Sequence, residues 1–482
     1  MSGLLFLFVI TLIFLIFCYY ANGKDILTPS VVVCGMFALS ELFALLSVDT
    51  WGIDYAYEAA FILILGIGVF VAVDFFSCRF FRKRRIVLRK NNKKRKISEN
   101  EGKLIYINRL VLALIILVNV AYIPIYYRSL LNLASASGLQ GTLAVAMKSL
   151  SYDASRSAET NLGTMITLLG RFCMITGYAL IYYYHHNKAL IKKRPELKRY
   201  KRYNRMLLVP AICYLIASLF EGARMQILLF LVYYFTLSYI SAQKVSARWS
   251  FKNSKKYIKY GVIALAVALP LFYLGVELLG RSNANLNMFN YLAIYIGGSI
   301  QHFNQYVQDP VSSAVWGGEC FYSIYNFLWK LGLRSEYVVP HLEFRTLYNI
   351  GFSGDRWYSG NVYTFFRSPL SDFGIPGMVI MTLVFAAFYS VFYHNVIKKR
   401  NASEYVIILY AYLFAQLSMV SITNQLTIMI SVYGLLNIAM FILMIYVVNR
   451  FCRRIVPGED DGAFRSGGMK RRSNLARYDF EA

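Results

Sequence analysis

Between Leu279 and Gly374 the chain carries Arg281, His302, His341, Arg345, Arg356, Arg367 and Asp372 in the one long break of an otherwise almost continuous series of apolar spans. The stretch is charge-balanced, with Arg281, Lys330, Arg334, Arg345, Arg356 and Arg367 set against Asp309, Glu319, Glu336, Glu343, Asp355 and Asp372. Five of those six cations are Arg, although the basic segments elsewhere use Lys freely. A guanidinium grips phosphate or carboxylate at two points and keeps its proton, so this composition suits a site that handles a charged group. If the group is a leaving phosphate, pre-placed Arg residues stabilise the charge that grows on it without a metal. The competing reading is that these Arg residues pair with nearby acids to fold the loop, as the spacing of Glu336 from Arg334 and of Glu343 from Arg345 allows.

Two cations sit at span boundaries. Arg224 opens one span and Arg281 closes another, which places them where a lipid phosphate lies; snorkelling to head groups is the alternative. Arg171 falls inside a span, so it is a functional candidate or a partner for another charge such as Glu277. The candidates for a proton acceptor, in falling order, are His302, Asp372, His341 and Glu221. No CxxC, HExxH, GxxxxGK[ST] or GxGxxG pattern occurs, so neither a metal nor a cofactor is expected. Of the seven Cys only Cys320 falls in an external segment, which leaves no external disulfide within one chain.

The elements that must position these residues are membrane helices. The chain is 57% hydrophobic and 16% charged with a mean hydropathy of +0.47, and its apolar residues come in runs of about twenty, the length of a membrane crossing. A loop as long as 280–373 is functional or disordered. Its many Trp, Tyr and Phe residues, among them Trp316, Tyr322, Trp329, Tyr363 and Phe366, make it too apolar for disorder, so it is expected to fold.

The reading is an all-α polytopic bundle of eleven spans: Leu4 to Tyr20, Val31 to Val48, Ala56 to Phe76, Ile105 to Tyr127, Met165 to Tyr184, Met206 to Leu219, Met225 to Ile240, Tyr260 to Leu279, Ile375 to Tyr393, Tyr405 to Val420 and Leu426 to Val448. Leu4 to Tyr20 lacks a basic start and a small-residue cleavage site, so it is read as a retained span. Arg79 to Lys96 holds eleven Lys or Arg and no acid, Lys188 to Arg205 nine against one Glu, and Lys244 to Lys259 six with no acid. Under the positive-inside rule these are cytoplasmic, as is Lys398 to Arg400, which puts the N-terminus outside and the C-terminus inside. The same rule accounts for the net charge of +26 without nucleic acid. The chain divides into spans one to eight (1–279), a large external loop (280–373), spans nine to eleven (374–449) and a polar tail (450–482). Leu139 to Ser151 could form an amphipathic interfacial helix.

Several stretches resemble a known family. Tyr295-Ile296-Gly297-Gly298-Ser299-Ile300-Gln301-His302-Phe303-Asn304, Gly360-Asn361-Val362-Tyr363-Thr364-Phe365-Phe366-Arg367, and Asp372-Phe373-Gly374-Ile375-Pro376-Gly377 resemble the oligosaccharide repeat-unit polymerases of the Wzy type. Gly222-Ala223-Arg224 looks like the Gly-Ser-Arg turn common in that family. The resemblance covers about Phe220 to Val379, and the remaining spans by hydropathy. It implies a GT-C-like membrane glycosyltransferase of the bacterial cytoplasmic membrane that joins lipid-linked repeat units on the outer face into O-antigen, capsule or exopolysaccharide. An undecaprenyl-diphosphate-linked glycan is the implied donor, and a flippase and a chain-length regulator of the same pathway are the implied partners. On this reading Arg224, Arg281, Arg367, Arg171 and Arg345 hold the diphosphate, and His302 and Asp372 carry the acid–base chemistry. A lipid-linked oligosaccharide flippase and an O-antigen ligase are the alternatives.

Overall fold

The computed structural model describes residues 1–91, 104–136, 143, 163–220, 224–245, 251–278, 287–311, 313–338, 345–349, 357–399 and 402–454. Among these residues, eight helices are long and apolar enough to cross a membrane: Ser2–Ala21, Tyr57–Lys83, Arg109–Ala136, Thr164–Lys193, Pro195–Phe220, Met225–Lys244, Arg367–Ile397 and Val432–Cys452. Pro29–Leu45 and Glu404–Leu417 are apolar but shorter. The chain is an all-α membrane bundle.

We label the main elements α1 (Ser2–Ala21), α2 (Pro29–Leu45), α3 (Tyr57–Asn91), β1 (Tyr106–Ile107), α4 (Arg109–Ala136), α5 (Thr164–Lys193), α6 (Val209–Phe220), α7 (Arg224–Val245), α8 (Phe251–Leu278), α9 (Met288–Ile296), α10 (Gly298–Gln308), α11 (Tyr322–Lys330), β2 (Arg345–Asn349), β3 (Trp357–Gly360), α12 (Arg367–Val391), α13 (Glu404–Leu417), α14 (Val432–Val447) and β4 (Arg453–Arg454). In α1 the side facing the bundle buries Leu4, Leu7, Thr11 and Cys18, while Leu5, Val9, Ile13 and Ile16 stay exposed. A helix apolar on all sides and buried on only one has lipid on the other. Packing is closest between α3 and α12, within the set α1, α2 and α3, and within the set α4, α5 and α6, and α7 joins α5 to α13.

The bundle has two chemically distinct ends. At one, Gly3 lies against the Tyr55 carbonyl, and Asn304 bonds to both the Asp54 carbonyl and the Ala56 N–H at 2.9 Å. The other gathers the basic segments: Lys244 Nζ donates to the Lys399 carbonyl at 3.0 Å, Arg453 pairs with Glu404 at 3.0 Å, and Asn187 and Tyr203 satisfy the backbone of Ile105 and Ile107. Along α3 the run from Tyr57 to Asp74 covers about 26 Å at ~1.5 Å per residue, most of a bilayer core.

Two expectations are corrected in detail. Ile105 does not begin a helix; Tyr106–Ile107 is instead a strand antiparallel to Arg453–Arg454, and α4 starts at Arg109. The stretch after residue 286 is not all loop: α9 and α10 form a helical pair broken at Gly297 and packed on α2 and α3. A Cβ at Gly297 would lie 2.7 Å from the Ala44 backbone nitrogen, so glycine is what allows this close approach. Of the interfacial helix expected at Leu139 to Ser151 only Leu143 is described, and the tail beyond residue 454 lies outside the described residues.

Candidate functional site

The site begins with a break in α12. Gly374 has φ +65° and ψ −169°, a conformation that favours glycine, and Pro376 restarts the helix. The first turns, Arg367 to Phe373, are thereby set apart from the span and lie against the 311–321 loop. Both carboxylate oxygens of Asp372 accept the Glu319 N–H, at 3.0 and 3.1 Å, and one also accepts the Cys320 N–H at 2.7 Å. Ser371 Oγ donates to the Val311 carbonyl at 3.0 Å. Trp316 and Phe321 close on the Phe373 ring, with centroids 4.8 and 5.9 Å away. Charge-assisted bonds of this kind hold a loop more firmly than neutral ones.

The fastened loop presents Glu319 to Arg367. Arg367 Nη1 meets Glu319 Oε2 at 2.9 Å, with each side chain only 6% exposed. The guanidinium lies over the rings of Tyr363, at 4.9 Å, and Tyr306, at 5.5 Å. Behind Tyr363 is His302, its ring 5.6 Å away and its Nδ1 2.9 Å from the Val362 carbonyl. His302 is fully buried and abuts Gly360, where a Cβ would come within 2.5 Å of its Cε1. His302, Arg367 and Asp372 are therefore joined through Tyr363 and Glu319 into one assembly at the end opposite the basic segments.

Environment shifts two ionisable groups here. Burial, and then the nearby Asp372 carboxylate, push the Cys320 thiol up, which disfavours the thiolate that would act as a nucleophile. The Tyr322 hydroxyl is also raised, first by burial and then by Tyr337, Glu319 and Tyr433. Tyr433 in turn carries Arg171, whose guanidinium is 5.1 Å from the ring. Arg171 thus sits at the same end of the bundle as Glu319, with two tyrosines between them, although it touches neither Arg367 nor Asp372 in any described contact.

The other expected residues are less fully described. Arg224 opens α7 and Arg345 opens β2, but their side chains lie outside the described part, and Arg281, Glu221, His341 and Arg356 are outside the described residues altogether. What the arrangement offers chemically is a guanidinium set against two tyrosine rings, which meet each other edge to face, and neutralised by one carboxylate. An anion with two oxygens in the right place could take the place of that carboxylate. Among the described residues no group of three or more His, Cys, Asp or Glu could hold a metal ion.

Sequence reasoning passed over a second polar group at the basic end. Asp25 pairs with Lys398, and Asp74 with His394, each at 2.9 Å. Away from that end, Glu41, fully buried in α2, accepts a hydrogen bond from Thr11 of α1 at 3.0 Å. The signal was there: Asp74 and Glu41 are carboxylates inside apolar runs, and such residues seek partners. Compared with known protein families, curated proteins and solved structures, this chain matches none of them.

Proposed function

We propose that this chain is a membrane glycosyltransferase of the Wzy type that joins undecaprenyl-diphosphate-linked oligosaccharide repeat units into a cell-surface polysaccharide. Adding Pro29–Leu45, Glu404–Leu417 and Phe251–Leu278 to the eight long helices makes eleven crossings in a GT-C-like bundle. The gathering of the basic segments supports a cytoplasmic assignment for their end under the positive-inside rule, and hence an outer position for the Arg367 end.

The observation that carries the reading is the Arg367–Glu319 pair over Tyr363 and Tyr306 at that end. In the proposed reaction the donor diphosphate displaces Glu319 from the guanidinium, and the bond from the anomeric carbon to the phosphate oxygen breaks as the acceptor sugar hydroxyl attacks, its proton passing to the Glu319 carboxylate thus freed. Charge grows on the diphosphate, and Arg367 stabilises it. The geometry of Asp372 and His302 favours positioning roles, since one caps the loop and the other packs behind Tyr363. Membrane lipid, a flippase and a chain-length regulator are the proposed partners.

The test is reconstitution of the purified protein in vesicles with lipid-linked repeat units and EDTA but no nucleotide sugar. Ladders of polymer are the expected product. Absence of any product longer than one repeat, from protein shown to be folded, removes the reading. The buried Asp25, Asp74, His394 and Lys398 favour one alternative, transport of the lipid-linked unit, because buried ionisable chains mark transport pathways. Movement of labelled units across the vesicle membrane without polymer formation would select it.

A further inference from the structure

At the basic end, side chains from several segments close around two carboxylates. Asp25, in the turn between α1 and α2, accepts hydrogen bonds from Tyr239 Oη at 2.8 Å and Tyr393 Oη at 2.9 Å, and pairs with Lys398 Nζ at 2.9 Å. Asp74 on α3 accepts Asn22 Nδ2 at 3.1 Å, the Ser30 N–H at 3.4 Å and the Ser30 hydroxyl, and meets His394 Nε2 at 2.9 Å. Asp74 and His394 are both fully buried. His394 lies in the π-helical segment Phe392–Ile397 that continues α12, a distortion frequent at functional sites.

A charge count follows from these contacts. With a neutral imidazole, two carboxylates face one ammonium, so one negative charge is left over in an apolar setting where uncompensated charge is costly. A carboxylate offers only acceptors, so a neutral His394 donates Nε2–H to Asp74 and keeps a lone pair on Nδ1. That Nδ1 has no hydrogen-bond partner among the described residues, and neither has Asn22 Oδ1. A surplus negative charge and a bare ring nitrogen are together what a proton site needs.

We propose that this cluster binds one proton, taken up on Nδ1 of His394, which converts a site of net charge −1 into a neutral one. The groups that face the pair are Asp25 from the α1–α2 turn, Cys18 of α1, Cys34 of α2, Tyr239 of α7 and Tyr410 of α13. Tyr393 and Lys398 complete the set from its own segment. Lys398, 10% exposed, marks the side from which the proton enters. Because the Asp74–His394 pair ties α3 to the end of α12, the packing of the basic end responds to the pH of the solution it faces. The inference stands independently of the polymerase reading.

The test is nitrogen NMR of the full chain, carrying isotope-labelled histidine, in lipid nanodiscs, with His394 assigned from the signal lost in His394→Gln. Nδ1 is expected to pass from bare to protonated as the solution goes from about pH 8 to about pH 5. Within that transition, Asp25→Asn should lower the protonated-to-neutral ratio about tenfold and Lys398→Gln should raise it about tenfold, since one nearby charge has at least that effect. Exchanging sodium for potassium should change nothing. The proposal is overturned if Nδ1 stays bare throughout, if the ratio ignores both charge variants, or if it follows sodium rather than pH. Should neither variant fold, the wild-type titration alone decides.

Discussion

Arg367 and Glu319 form a buried ion pair at 2.9 Å, and the Glu319 backbone is itself held in place by Asp372, five residues beyond Arg367. The guanidinium is thus clamped from one side by a carboxylate and from the other by Tyr363 and Tyr306. Substituting each partner separates holding the fold from holding a substrate. Arg367→Lys retains the charge but loses the planar fork; we expect normal membrane levels with polymer formation down by about 100-fold to 1000-fold. Glu319→Gln takes the carboxylate away from a buried cation, and thermal unfolding should show a loss of up to about 3–5 kcal/mol. Full polymer from Arg367→Lys would show that the pair serves only the fold.

Asp372 is expected to matter through the loop it caps. Asp372→Ala removes the acceptor for two N–H groups, those of Glu319 and Cys320, and each such charge-assisted bond is worth about 1.5–3 kcal/mol at most. Asp372→Asn keeps one carbonyl oxygen and should lie between wild type and Ala in unfolding temperature. Protease cleavage within 311–321, faster in the Ala variant than in the Asn variant, checks that the loop is what comes loose.

Gly297 should not tolerate even one added carbon. Its Cβ would meet Ala44 backbone, which cannot swing aside, so Gly297→Ala is expected to cost about 1–3 kcal/mol. Gly35→Ala serves as the control, its nearest neighbour being a leucine methyl at 4.0 Å. Equal melting temperatures for the two variants would mean that α9 and α10 do not dock on α2 as described.

The orientation is open to a direct check. Reporter fusions after Asn287, Asn253 and Ala482 should read outside, inside and inside. A cytoplasmic signal at Asn287 removes the outer assignment of the Arg367 end.

The Asp25–Lys398 pair carries an acid dependence. Burial alone would raise the Asp25 carboxyl, but the Lys398 ammonium and the Tyr239 and Tyr393 hydroxyls outweigh it and hold it below the usual carboxylate range. A lowered carboxyl stabilises the fold fully above its unfolded value, and that stability is lost as pH falls through the folded one. Wild type should therefore lose stability between about pH 5 and about pH 2, and Lys398→Met, already weaker at neutral pH, should lose less over the same interval. Parallel curves for the two proteins would contradict the pairing.

The spans were legible because an unbroken apolar run has few other ways to exist, as in Ser2–Ala21 and Arg109–Ala136. Their ends were harder to read. Ile105 is apolar enough for a helix, but the Asn187 side chain takes up both its N–H and its carbonyl, a contact between residues far apart in sequence. The α9–α10 pair was hidden for a related reason. Gln301, His302 and Asn304 interrupt its hydropathy, yet all three are buried because Asn304 holds the 54–56 segment and Gly297 allows the approach to α2. In the candidate site, Arg367 and Asp372 stood out by residue type. Glu319 did not, because nothing local shows that the break at Gly374 brings it onto Arg367.

The pairing of Tyr106–Ile107 with Arg453–Arg454 bears on how the molecule is made. A ribosome adding ~5–20 residues per second needs tens of seconds to travel from the first strand to the second. Throughout that interval the Ile105 and Ile107 backbone can rely only on Asn187 and Tyr203, which emerge much sooner. The Asn108 N–H bond to the Cys452 carbonyl and the two-residue strand pair then form among the last contacts of synthesis, tying the start of α4 to the end of α14 only after α14 has entered the membrane.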